Sequence, residues 1–113
     1  MDGAPRQGRE GAAASAVAQV IYSGNALDDI ARFFEFLARI DPYSASAAVA
    51  AIRGAIDVLS EHPLIGRSID EPLRELVISF GRSGYIALYR FRPERNEVRI
   101  LAIRHQREID YSG

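Results

Sequence analysis

Two periods of apolar spacing divide the chain. Leu27, Ile30, Phe34, Leu37 and Ala38 recur at helical spacing, and so do Ala45, Val49, Ile52, Ile56 and Leu59. From residue 73 the period shortens to two. LRELVISF (73–80), YIALYRF (85–91) and EVRILAI (97–103) alternate apolar with polar positions and are rich in β-branched and aromatic residues. A short apolar run, QVIY (19–22), precedes the helical pattern and reads as one more strand.

Breaker residues fall between these runs. SGN (23–25) ends the first strand, and Asn25 is expected to cap the helix that follows, with Asp28 and Asp29 in its first turn beside the positive end of the dipole. Asp41 and Pro42 stop that helix and start the next, because aspartate suits an N-cap and proline the first helical position. Arg53 and Asp57 are spaced as an i, i+4 pair, and His62-Pro63 closes the second helix. GRSG (81–84) and RPERN (92–96) carry hairpin-turn chemistry. The expected fold is α+β. An antiparallel β-sheet, made of the N-terminal strand and a C-terminal three-stranded meander, packs on an α-helical hairpin, and its other face is left for a ligand or partner.

Composition sharpens this picture. A chain of 113 residues with 48% hydrophobic and 26% charged residues suits one globular domain. We expect residues 1–16 to be a flexible tail and 17–113 the domain. The alanine-rich stretch 11–18 follows Arg6 and Arg9 but makes a poor secretory leader. Asp2 and Glu10 sit in what should be a basic flank, and Gln19 interrupts a short apolar run, so a cytoplasmic location without a membrane partner is expected. The absence of cysteine removes disulfides, thiolate zinc sites and thiol nucleophiles. The net charge of −1 conceals an asymmetry: residues 17–63 hold six acids against three arginines, whereas 74–107 hold eight arginines against three glutamates. The second half presents a field suited to phosphate or to an acidic protein. All 14 basic residues are arginine, so no ammonium is available as a tunable acid or base.

The element order, with HPLIGRSIDEPLRELVI (62–78), GYIALYRF (84–91) and VRILAIRHQREIDY (98–111), resembles the RelE/ParE superfamily of bacterial type II toxins. The most telling pieces are His62-Pro63 with Gly66-Arg67, Leu-Arg-Glu-Leu at 73–76, Tyr85 with Tyr89-Arg90, and Arg104-His105 with Arg107. The resemblance covers residues 19–111. It implies a growth-inhibiting toxin, needing no cofactor or metal, that a cognate antitoxin silences by wrapping its surface.

The superfamily divides chemically. In its ribosome-dependent ribonucleases the central strand begins Tyr-Arg, and that arginine supports the phosphate being cut. Here the strand begins Tyr85-Ile86, and isoleucine cannot stabilise charge developing on phosphate. The resemblance therefore points to the ParE-like, plasmid-stabilisation branch, a non-enzymatic inhibitor that binds a protein, with DNA gyrase first among targets. The alternative is a ribosome-dependent mRNA endoribonuclease. It would draw on Glu71 as carboxylate, His105 and Tyr111 as proton donor and acceptor, and Arg107. Arg67, Arg74, Arg82, Arg104 and Arg107 are the candidates for touching target or phosphate. Phe33, Phe36 and Ile40 form a second apolar strip on the first helix, a candidate antitoxin-binding surface.

Plainer roles compete with each of these. Arg74 with Glu75, and Arg99 with Glu97, read as charge pairs on a solvated face. Tyr85 and Tyr89 share one side of their strand and read as core.

Overall fold

The computed structural model describes residues 17–107. The expected tail, 1–16, and Tyr111 lie outside the described residues. Strand β1 (Gln19–Tyr22) is followed by helices α1 (Gly24–Ala38) and α2 (Pro42–Asp57), then by β2 (Arg67–Asp70), β3 (Leu73–Phe80), β4 (Ser83–Arg92) and β5 (Glu97–His105). The strands form one sheet in the order β1-β5-β4-β3-β2, and both helices pack on one of its faces.

From β2 to β5 the sheet is antiparallel, as the turns predicted. The tightest turn leaves only Gly81 and Arg82 between paired Phe80 and Ser83, and Gly81 takes a φ of +57° that a side chain would resist. β1 departs from the all-antiparallel expectation. It runs parallel to β5, from Gln19↔Glu97 to Tyr22↔Ile100, so the sheet is mixed. Both helices intervene between β1 and the meander, which supplies the long connection that a parallel neighbour requires. β2 was not legible in the sequence. It has four exposed residues and no apolar alternation, and it forms by pairing with β3.

α2 follows its sequence closely. The Asp41 carboxylate accepts the Tyr43 N–H at 3.1 Å and the Ser44 hydroxyl at 3.0 Å, and Pro42 takes the first turn. Ala45, Ala48, Ile52 and Ile56 turn inward, followed by Leu59. Arg53 does not pair with Asp57; its guanidinium lies 5.0 Å from the Tyr22 ring centroid.

α1 is rotated from its expected phase. Its inward face is Ala26, Asp29, Ile30 and Phe33, while Leu27 and Phe34 are 47% and 39% exposed. Polar anchors to β5 set that rotation. β1 ends opposite Ile100, so the outer edge of β5 beyond that point lacks a strand partner, and α1 supplies side chains in its place. Ser23 Oγ and Asn25 Nδ2 donate to the Leu101 carbonyl at 3.1 and 3.2 Å, and Asp29 Oδ2 accepts the buried Ile103 N–H at 2.9 Å. Ser23, rather than Asn25, is the N-cap, accepting the Ala26 N–H at 3.0 Å. Removing the Asp29 acceptor strands a buried donor. Asp29→Ala is therefore expected to cost about 2 kcal/mol by urea denaturation, and Asp29→Asn, which keeps an acceptor, less.

Tyr89, fully buried, closes the far end of the core. Its hydroxyl donates to the Pro63 carbonyl at 2.8 Å and accepts the Gly66 N–H at 2.9 Å, which ties the loop after α2 to the sheet. Burial holds the phenols of Tyr22, Tyr85 and Tyr89 above their ordinary value of 10.0; for Tyr89 the Gly66 N–H and Arg74 partly oppose this. Each folded value exceeds the unfolded one. The contribution is therefore complete below about pH 10 and is lost as pH rises through the folded values, at up to about 1.4 kcal/mol per pH unit per tyrosine. Denaturation at stepped pH should show a steep loss above pH 10, with phenolate absorbance appearing together with unfolding.

Candidate functional site

Alternation along β4 sorts its side chains between the two faces of the sheet. Tyr85, Ala87 and Tyr89 are buried under the helices, and Ile86, Leu88 and Arg90 point to the open face. On that face Ile86 is flanked by Val77 of β3 and Arg104 of β5, and Leu88 by Glu75 and Ala102. Glu75, Ile86, Leu88, Ala102 and Arg104 line a shallow pocket of about 180 Å³. Glu75 is ion-paired to Arg67, and Arg104 is the cation directly across the strand pair from Ile86. The centre of the face is thus apolar with one guanidinium at its side, suited to clasping side chains of another protein.

Of the candidate nuclease residues, the described ones, Glu71, His105 and Arg107, do not converge on this centre. His105 follows Arg104 and so points to the opposite side of the sheet. It meets the Tyr85 ring edge-on at 5.2 Å between centroids, and its Nδ1 accepts the Arg107 N–H at 3.0 Å. Glu71 is ion-paired with Arg74 at 2.8 Å near the start of β3. Leu73 pairs with Arg90 and His105 with Tyr85, five residues apart on β4, so Glu71 and His105 are separated by about 17 Å along the strand. Among the described nuclease candidates the geometry brings together His105 and Arg107.

Of the other arginines, Arg74 is committed to the fold. It donates to the Gly66 carbonyl at 2.8 Å and the Leu64 carbonyl at 3.2 Å besides pairing with Glu71, so the expected Arg74–Glu75 pair does not form. Arg99 does pair with Glu97, at 3.1 Å. Arg82 is exposed at the tip of the β3–β4 turn.

A second feature lies on the helix-covered side of the sheet. Between the C-terminal half of α1 and the ends of β4 and β5 runs a groove of about 520 Å³, walled by Phe33, Phe36, Leu37 and Tyr85, with Arg32, Ser83, His105 and Arg107 supplying its polar lining. The expected strip of Phe33, Phe36 and Ile40 divides here. Phe33 is core, in tilted contact with Tyr85 at 5.2 Å, whereas Phe36 and Ile40 are 60% and 72% exposed. Tyr43, 87% exposed just beyond the α1–α2 connection, escaped sequence reasoning. Its signal was its place in the first turn of a helix capped by Asp41 and Pro42. Among the described residues no helix is long and apolar enough to cross a membrane.

The chain matches known proteins over this same fold. The family model described as the ParE toxin of the type II toxin-antitoxin system, parDE, matches residues 20–110. Toxin RelE1 of Caulobacter vibrioides is 37% identical over 71 residues, 63% of this chain and 76% of that protein. Toxin RelE3 of the same organism is 34% identical over 80 residues, 71% of this chain and 85% of that protein. Among solved structures, a chain of the chromosomal ParDE TA system from P. aeruginosa superposes with a TM-score of 0.65 at 22% identity, covering 80% of this chain and 97% of that one. A chain of the toxin-antitoxin complex RelBE2 from Mycobacterium tuberculosis gives 0.53 at 24% identity, covering 80% and 99%.

Proposed function

This chain belongs to the RelE/ParE superfamily of type II toxins, and we propose that it acts in the ParE manner, arresting growth in the cytoplasm by binding a protein, with DNA gyrase first among targets. A cognate antitoxin holds it silent, and exposed Phe36 and Ile40, beside the groove floored by Phe33, form the surface the antitoxin covers. The reading is carried by one observation: Ile86 stands at the centre of the open face between Val77 and Arg104, while the imidazole of His105 lies on the other side of the sheet. The centre of that face offers apolar contact beside Arg104, with Glu75, already ion-paired to Arg67, at its border and no imidazole among the described residues.

Ribosome-dependent RNA cleavage has Arg104 in its favour, one strand away from Ile86, and the Caulobacter vibrioides relatives carry RelE names. A supercoiling assay with purified toxin tests the ParE-like reading. Inhibition of gyrase that is relieved by the antitoxin is the expected result; undisturbed supercoiling at micromolar toxin would remove gyrase as the target.

A further inference from the structure

Four residues along β4 from Ile86, the open face changes character. Arg90 stands directly opposite Arg99 on β5, and Arg92 opposite Glu97. Like charges facing each other across a strand pair destabilise it. Glu97, buried to 8% exposure, answers only Arg99, to which it is bound through Nε at 3.2 Å and Nη2 at 3.1 Å. Neither Arg90 nor Arg92 forms an ion pair with any described residue, and the shielded Nε of Arg90 meets no acceptor. Three guanidiniums around one carboxylate leave two of them, Arg90 and Arg92, without an ion pair. Drawing Arg90 into a new ion pair therefore sacrifices no existing ion pair and gives its Nε an acceptor.

We propose that Arg90, Arg92 and Arg99 form a seat for a carboxylate carried on an acidic, partly apolar segment of the toxin's protein partner; this rests on the protein-binding reading and gives the partner its chemistry. The surroundings favour a protein over a nucleic acid. Leu73 and Ile21 are the cross-strand neighbours of Arg90 and Arg99, and Leu88 precedes Arg90 on the same face. Nucleic-acid binders draw on roughly six to ten phosphate contacts. Among the described residues the strands of the open face hold only Arg90, Arg92 and Arg104 outside ion pairs, fewer cations than such binding draws on. An extended segment of about four residues would span the roughly 13 Å from this seat to Ile86.

The test uses the full chain and three probes: a ten-residue peptide alternating glutamate and leucine, the same peptide with glutamine, and a ten-nucleotide single-stranded RNA. Binding is read by fluorescence anisotropy and by the Arg90 Nε–H resonance, whose shielding slows proton exchange. The glutamate peptide should bind and move that resonance, the glutamine peptide should bind at least tenfold more weakly, and Arg90→Gln should lose at least tenfold while melting at the same temperature or higher. Arg90→Lys should recover part of the loss. A resonance moved by RNA and not by the peptide would overturn the proposal, as would an Arg90→Gln protein that melts several degrees lower, which marks a structural arginine. Peptide binding by a toxin that proves to cut mRNA would keep the seat and remove the protein-binding reading; gyrase inhibition without peptide binding would do the reverse.

Discussion

Gly66→Ala is expected to destabilise the domain by about 3 kcal/mol, a large part of the 5–15 kcal/mol that holds a domain folded. A β-carbon at Gly66 would stand 2.6 Å from both Cε1 and the hydroxyl of Tyr89 and 2.8 Å from the Glu75 carbonyl oxygen. None of these can yield cheaply. The Tyr89 ring is fully buried, its hydroxyl is fixed by the Pro63 carbonyl and the Gly66 N–H, and the Glu75 carbonyl belongs to the β3 ladder. Moving the loop outward breaks the hydroxyl's hydrogen bonds and loosens the Arg74 clamp on the Gly66 and Leu64 carbonyls. Tyr89→Phe, which strands those loop groups without adding bulk, should cost about 2 kcal/mol. The double substitution should cost less than the two losses combined, because the hydroxyl accounts for part of the clash. Urea denaturation with an unchanged m-value checks all three; a loss below 1 kcal/mol for Gly66→Ala would contradict this packing.

His105→Ala should leave growth inhibition within about threefold of the parent. The imidazole lies against Tyr85 on the helix side of the sheet, away from the face that carries Ile86 and Arg104. Its removal forfeits an edge-to-face contact worth about 0.5–1.5 kcal/mol, a modest loss of stability that calorimetry on the purified protein would register. An enzyme relying on that imidazole for proton transfer would lose about 10²–10⁴ in rate. Growth curves under matched expression, together with melting temperatures, separate the two outcomes: near-normal arrest fits a binder, and abolished arrest by a folded variant fits a nuclease.

Most of the architecture was legible because its signals are local. α2 showed its cap, its N1 proline and its apolar spacing in consecutive residues, and β3 ran between the limits its alternation predicted. Tyr85 and Tyr89 declared themselves core by sharing one side of a strand. What stayed hidden depends on partners remote in sequence. The rotation of α1 is set by Leu101 and Ile103, over 70 residues away. β2 exists only through β3, and the parallel β1–β5 pairing leaves no mark in either strand. The site was half legible for the same reason. The substitution at position 86 could be read directly, whereas which face carries Arg104 and which carries His105 required the register of β5 against β4. Spacing named Arg74 as a candidate contact; its engagement by the 64–66 loop is a tertiary fact.

The claim that the open face clasps a partner rather than cutting RNA is tested most directly on ribosomes translating a defined mRNA, with purified toxin added and the message mapped by primer extension. The account predicts full-length message at toxin concentrations that arrest growth. Toxin-dependent breaks within codons, lost in the His105→Ala protein, would contradict it.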